Sequence, residues 1–83
     1  MGTLMKYVYI LKSLSNPDRY YVGKTENPQQ RLDEHNSGKL PSTSELKPWE
    51  LKNIIGFKDH TKAHKFETYL KSGSGRAFAK RHL

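Results

Sequence analysis

Two tyrosine-bearing apolar runs close together near the start constrain this chain most. Tyr7-Val8-Tyr9-Ile10-Leu11 and Tyr20-Tyr21-Val22-Gly23 are separated by Ser15-Asn16-Pro17-Asp18. β-branched and aromatic runs favour extended backbone. Proline fixes φ, and Asn and Asp tolerate the tight backbone of a turn. Strands over 6–12 and 20–24 are therefore predicted, paired as a hairpin. Gly23, near a strand end, points to a bend or a close approach of backbone.

Asn27-Pro28 is a helix start, with Asn as N-cap and Pro at the first helical position. The helix is predicted over 28–36, with Gly38 just past its end and Leu32 facing the core. Arg31 and His35, spaced i, i+4, share another face. Ser37 to Pro48 lacks periodicity and reads as a mobile loop carrying Lys39 and Lys47. Trp49 to Phe57 reads as a third strand, with a bulge at Gly56. A second helix is expected from Asp59–Thr61 to Lys71, burying Ala63, Phe66 and Leu70. Glu67 sits at the edge of that stripe, where a carboxylate needs a partner. A last short helix, capped by Ser74, is expected to run through Phe78 to about His82.

The 83 residues suffice for one domain, 1–83. The expected class is α/β (α+β): a small, three-stranded, largely antiparallel sheet flanked by two or three helices. Residues 1–5 are expected to be flexible or foreign to the fold, Met5 offering an alternative start. No apolar run approaches the roughly 20 residues that span a bilayer, and the first residues are too mild for a signal peptide. The chain is thus expected to be soluble, without membrane partners and by default cytoplasmic. The absence of cysteine excludes disulfides and thiolate metal sites. A net charge of +7, from 15 Lys and Arg against 8 Asp and Glu, favours a polyanionic partner such as nucleic acid.

The ordered set Tyr7-Val8-Tyr9, Tyr21-Val22-Gly23-Lys24-Thr25, Asn27-Pro28, Arg31-Leu32, His35-Asn36 and Phe66-Glu67 resembles the GIY-YIG nuclease superfamily over nearly the whole chain. The likeness is to its small stand-alone members, to the N-terminal domain of the excinuclease C subunit and to its branched-DNA nucleases. The first triplet here is Tyr-Val-Tyr rather than Gly-Ile-Tyr, and no asparagine follows Glu67, as it does in many members.

The resemblance implies a metal-dependent DNA endonuclease, with a place in DNA repair or recombination. Glu67 resembles the metal-binding carboxylate, holding one Mg²⁺ or Mn²⁺ ion with waters and phosphate oxygens. Tyr9 and Tyr21 would place the attacking water, Arg31 would neutralise the phosphate, and Lys24 and His35 would assist proton transfer. A phenol titrates near pKa ~10, so Tyr9 as a base needs cationic neighbours, for which Lys24, Arg31 and the metal are candidates. Lys39, Lys47, Arg76, Lys80 and Arg81 would track the backbone of DNA, branched or nicked, with a protein partner supplying target choice. The alternative is a nucleic-acid-binding module that keeps the fold without cutting. His60, His64 and His82 read as surface residues, and His64 with Glu67 at i, i+3 is a weak metal signal. The nuclease reading requires Tyr9, Tyr21, Arg31, His35 and Glu67 to converge on one groove.

Overall fold

β1 (Lys6–Ser13) lies at the centre of the sheet, with β2 (Tyr20–Thr25) on one side and β3 (Trp49–Phe57) on the other, both antiparallel to it. The structure is a computed structural model and describes residues 4–83. A central strand must bury both of its faces, and successive side chains point to opposite sides. Val8 and Ile10 join one core with Ala63 and Leu70, against which Val22, Phe57, Phe66 and Phe78 pack. Tyr9 and Leu11 join a second with Trp49, against which Tyr21, Leu32, Leu46 and Leu51 pack.

Those two cores assign the helices to layers. α1 (Pro28–Ser37) and the short α2 (Pro41–Ser44) cover the Tyr9 face. α3 (His60–Leu70) and α4 (Gly73–His82) cover the Val8 face. The described residues thus form three strands and four helices, one helix more than the upper expectation. None of these helices is long and apolar enough to cross a membrane.

Local chemistry explains the helix ends. The Asn27 side chain accepts from the Gln30 amide at 3.1 Å, and Gly38 closes α1 at φ 82°, a left-handed conformation that glycine adopts without strain. Asp59 caps α3 by accepting from the amides of Thr61 and Lys62. The cap of α4 is Ser72, not Ser74, its hydroxyl accepting from the Gly75 amide at 3.1 Å. Ser72 sits before the first helical residue, where a side-chain oxygen reaches free amides; Ser74 is already inside the turn.

Two further expectations are corrected. The stretch 37–48 is not a featureless loop, since it contains α2 and buries Thr43. The irregularity in β3 falls opposite Ile10 and Leu11, where Lys52 is the extra residue, and not at Gly56. This bulge shifts the alternation of β3, so that Leu51 packs with the Tyr9 core and Phe57 with the Val8 core. Gly56 instead makes room for neighbours, since a Cβ there would lie 2.7 Å from the Met5 methyl and 3.0 Å from the Tyr7 ring. Of the five leading residues expected to be flexible, 1–3 lie outside the described residues. Leu4 is held by its carbonyl, which accepts from His60 Nε2 at 3.0 Å.

Gly75 is where α4 turns back against the end of α3, and any Cβ would collide with the Tyr69 carbonyl. A Cβ at Gly73 would meet nothing within 4 Å beyond its chain neighbours and its own helix backbone. Gly75→Ala should therefore destabilise the domain by about 1–3 kcal/mol or more, whereas Gly73→Ala should be neutral or stabilising by up to ~1 kcal/mol. Urea midpoints of the two variants check this contrast, and equal midpoints would contradict the packing described.

Candidate active site

The site begins with a glycine. Gly23 on β2 pairs with Tyr9 on β1, and a Cβ at Gly23 would collide with the Tyr9 hydroxyl and lie 3.0 Å from the Tyr21 ring. Without that Cβ, the Tyr9 phenol can lie against the β2 backbone. Tyr9 is 1% exposed. Its hydroxyl meets His35 Nε2 at 3.0 Å, and His35 Nδ1 meets Thr43 Oγ1 at 2.9 Å.

The proton positions follow from the last link. The Thr43 hydroxyl donates its one hydrogen to the Leu40 carbonyl at 3.3 Å, so its oxygen accepts from His35 Nδ1–H. His35 is then neutral, with a lone pair on Nε2, and the Tyr9 O–H donates to it. This tautomer is assigned from the network of partners. Full burial depresses the His35 pKa below its ordinary value, and the Arg31 charge adds to the effect while Glu34 opposes it.

Tyr9 moves opposite to what a base would need. Its pKa is pushed up to about 12, chiefly by burial and then by Tyr21, with Glu67 adding a little and Arg31 pulling it down. Of the cations expected to lower it, Arg31 alone acts, and burial outweighs it. Lys24 is engaged elsewhere: it donates to His64 Nδ1 at 2.6 Å and lies 3.7 Å from Glu67 Oε1. A free Tyr9 phenolate near neutral pH is excluded in this environment.

Arg31 lines an open cleft of about 550 Å³ together with Lys24, Thr25, Asn27, Gln30 and Glu34. Its Nη1 donates to Glu34 Oε1 at 2.8 Å, with the Arg31 side chain 37% exposed and the Glu34 carboxyl held below the usual carboxylate range. Tyr21 packs beside the Tyr9–His35 pair with its ring tilted to both, 4.7 Å from that of His35 and 6.2 Å from that of Tyr9.

Glu67 arrives from the other layer. α1 and α3 cover opposite faces of the sheet, yet Lys24 lines the Arg31 cleft and also pairs with Glu67. Tyr9 feels the charge of both Arg31 and Glu67. Of the five residues expected in one groove, Arg31 alone lines this cleft, and Lys24 is the link from it to Glu67 around the β2 edge. The Glu67 side chain is 13% exposed and ringed by cations, with Lys71 Nζ at 3.3 Å from Oε2 and His64 Nδ1 at 3.9 Å from Oε1. Among the described residues no three His, Cys, Asp or Glu side chains cluster as a metal cage. The donor set fits a hard cation held through one carboxylate and otherwise by water and phosphate, and does not fit a metal bound wholly by protein.

The outlying cations are divided. Lys39 lies near enough to Glu34 to influence it, and Lys47 Nζ would lie 3.2 Å from a Cβ at Gly38, so both flank the end of α1. Arg76 and Lys80 line a separate groove on the α3–α4 side, and Arg81 is exposed on α4. Thr43 was hidden by the apparent loop, although Leu40-Pro41 ahead of Ser and Thr repeats the proline start seen at α1. His64 is exposed, as expected of a surface residue, and its Nδ1 contacts Lys24 beside Glu67. Asn36 holds α1 to β3, accepting from the Trp49 amide and donating to the Trp49 carbonyl.

A buried tyrosine–histidine pair, an arginine on a capped helix and a lone carboxylate at the sheet edge define a small nuclease-like α+β domain. The chain belongs to the GIY-YIG catalytic domain family, whose model matches residues 5–81. It is similar to the structure-specific endonuclease subunit SLX1 of Talaromyces marneffei, 38% identical over 71% of this chain and 17% of the relative. The same subunit of Chaetomium globosum is 44% identical over 72% of this chain and 20% of the relative. That of Mycosarcoma maydis is 39% identical over 90% of this chain and 11% of the relative. The chain thus spans about a fifth or less of the length of these relatives.

The depressed His35 pKa gives a signed expectation. Below its ordinary value of 6.5 the unfolded chain takes up a proton that folded His35 resists. The unfolded state then binds more protons, so stability should be level above that value and fall as pH drops below it. Denaturant unfolding from pH ~8 down to ~5 tests this, with a pKa near 6.5 as the pivot. His35→Gln should flatten the decline; an undiminished slope in that variant would place its origin elsewhere.

Proposed function

We propose that this domain hydrolyses DNA phosphodiester bonds as a metal-dependent endonuclease. The single observation that carries the reading is that Lys24 lines the Arg31 cleft and also pairs with Glu67 at 3.7 Å, joining groups carried by opposite layers at the β2 edge. Phosphodiester hydrolysis needs a placed water, neutralised phosphoryl oxygens and help for the leaving oxygen. Arg31 meets the phosphate, since its planar fork suits two phosphoryl oxygens. It must first loosen its pair with Glu34, an exposed contact of the kind worth little in water.

Tyr9 takes the water's proton while passing its own to His35 Nε2. This concerted hand-over avoids a free phenolate, which its pKa of about 12 forbids near neutrality. Thr43 keeps Nε2 of His35 free to accept. Tyr21 walls the water's position. Glu67 is the residue that would hold one Mg²⁺ or Mn²⁺, and Lys24 or Lys71 would yield its contact with the carboxylate to such an ion. The ion, when bound, supplies Lewis-acid stabilisation of charge on the phosphate and leaving oxygen. Lys24, no neighbour of the Tyr9–His35 pair, is better placed to hold the Glu67 carboxylate than to carry a proton.

The relatives' name, a structure-specific endonuclease subunit, supports branched or nicked DNA as substrate, in repair or recombination, with a protein partner supplying target choice. Lys39 and Lys47 would follow the backbone beyond the cleft. A second reading, binding without cutting, draws on one observation: both Glu67 oxygens already have lysine partners.

One titration separates the two. With labelled branched and nicked DNA and increasing Mg²⁺ or Mn²⁺, the wild-type chain should yield product. Glu67→Ala should abolish cutting yet keep binding, and Tyr9→Phe should lower the rate by about 10²-fold or more, as expected for loss of a proton-transfer group. Binding without product at every metal concentration favours the module, and unchanged cutting by Glu67→Ala refutes the metal assignment.

A further inference from the structure

A second groove, larger than the Arg31 cleft, lies away from it. It has a volume of about 810 Å³ and lies on the α3–α4 side of the sheet. Arg19, Lys52, Lys71, Arg76 and Lys80 line it, and Asp18 is the acid among its lining residues. Its floor is apolar, made by Ile10, Val22, Leu70 and Ala79. Tyr20 stands on its rim, 51% exposed at the free edge of the sheet. The bulge in β3 contributes directly. Lys52, the extra residue, reaches across β1 until its Nζ lies 5.0 Å from the centre of the Tyr20 ring.

We propose that this groove binds a single-stranded arm of the DNA substrate and leads it to the carboxylate of Glu67. The polymer's identity rests on the endonuclease reading above. Its single-stranded form rests on the groove. Cations over an apolar floor beside an exposed aromatic ring suit unpaired bases, which offer a flat face to stack and a phosphate at each step. Duplex DNA hides those faces, and would use the cations alone. Lys71 joins the two regions, because it lines the groove and donates to Glu67 Oε2 at 3.3 Å. A strand lying along Arg76, Lys80 and Lys71 therefore ends beside the carboxylate, on the layer opposite Arg31. Single-stranded and duplex arms of one branched molecule would then occupy opposite faces of the sheet and meet at the β2 edge.

The test measures binding alone, by fluorescence anisotropy of the whole chain in EDTA, so that cutting plays no part. The probes are labelled oligo(dT) of about 12 nucleotides and a duplex of equal length. Tyr20→Ala should weaken oligo(dT) binding about 5- to 100-fold, the range for one lost base–aromatic stack, and leave the duplex unaffected. Tyr20→Phe should retain binding. Arg76→Ala with Lys80→Ala should reduce the salt slope for oligo(dT) by about 1.4, or about 0.7 for each phosphate contact. Lys52→Glu, at an exposed position, gives a second variant, and melting curves confirm that each variant folds. Unchanged oligo(dT) affinity in Tyr20→Ala and in the double variant overturns the proposal, as does equal loss on the duplex. Failure of the groove leaves cutting of nicked DNA intact, whereas failure of the nuclease reading leaves no product at any metal concentration but the same anisotropy losses.

Discussion

The hydrogen-bonded line from the Leu40 carbonyl through Thr43 and His35 to the Tyr9 hydroxyl ties together the layer that carries the candidate site. It joins α2, α1 and β1 through four polar groups in a region that excludes water. Buried polar groups are costly unless each is satisfied, and in this line each one is. The same line fixes which histidine nitrogen carries a proton. Packing and chemistry therefore make the same demand: loss of Thr43 would unsettle the helix layer and the tautomer together.

The sheet's geometry explains why the site lies at an edge. A central strand buried on both faces sends Tyr9 to one layer and Val8 to the other. Residues from both layers can meet only where the sheet stops. β2 is that boundary, and Gly23 on it leaves space for the Tyr9 phenol. Lys24, the next residue, points to the other layer and pairs with Glu67. The two neighbouring positions 23 and 24 thus serve the two halves of the site. The alternation of side chains along β2 carries this out with no loop or insertion.

Electrostatics divides the surface in a similar way. The excess of cations does not form one face: part lines the Arg31 cleft, and part lines the groove of Arg76 and Lys80. Within the cleft each cation already has an acidic neighbour, Glu34 for Arg31 and Glu67 for Lys24. The groove is less neutralised. An incoming phosphate must therefore exchange partners in the cleft, while in the groove Lys71 alone of the lining cations is ion-paired among the described residues.

Much of this was legible in the sequence. The hairpin, the capped α1 and the amphipathic α3 follow from local rules, namely turn residues, Asn-Pro capping and helical spacing of Ala63, Phe66 and Leu70. The candidate site residues came with the ordered motif. Local pattern did not disclose α2, because four residues with one buried threonine leave no periodicity. Nor did it place the bulge at Lys52, which arises where β3 must serve two cores at once. The state of Tyr9 also eluded it. Sequence set a phenol among cations and implied a lowered pKa, but only burial in the assembled layers determined that desolvation outweighs Arg31. Composition and spacing thus fixed which groups are available and which elements carry them. Tertiary structure decided where those elements meet and how dry the meeting place is, since protonation and charge depend on distance and solvent and neither exists along an unfolded chain.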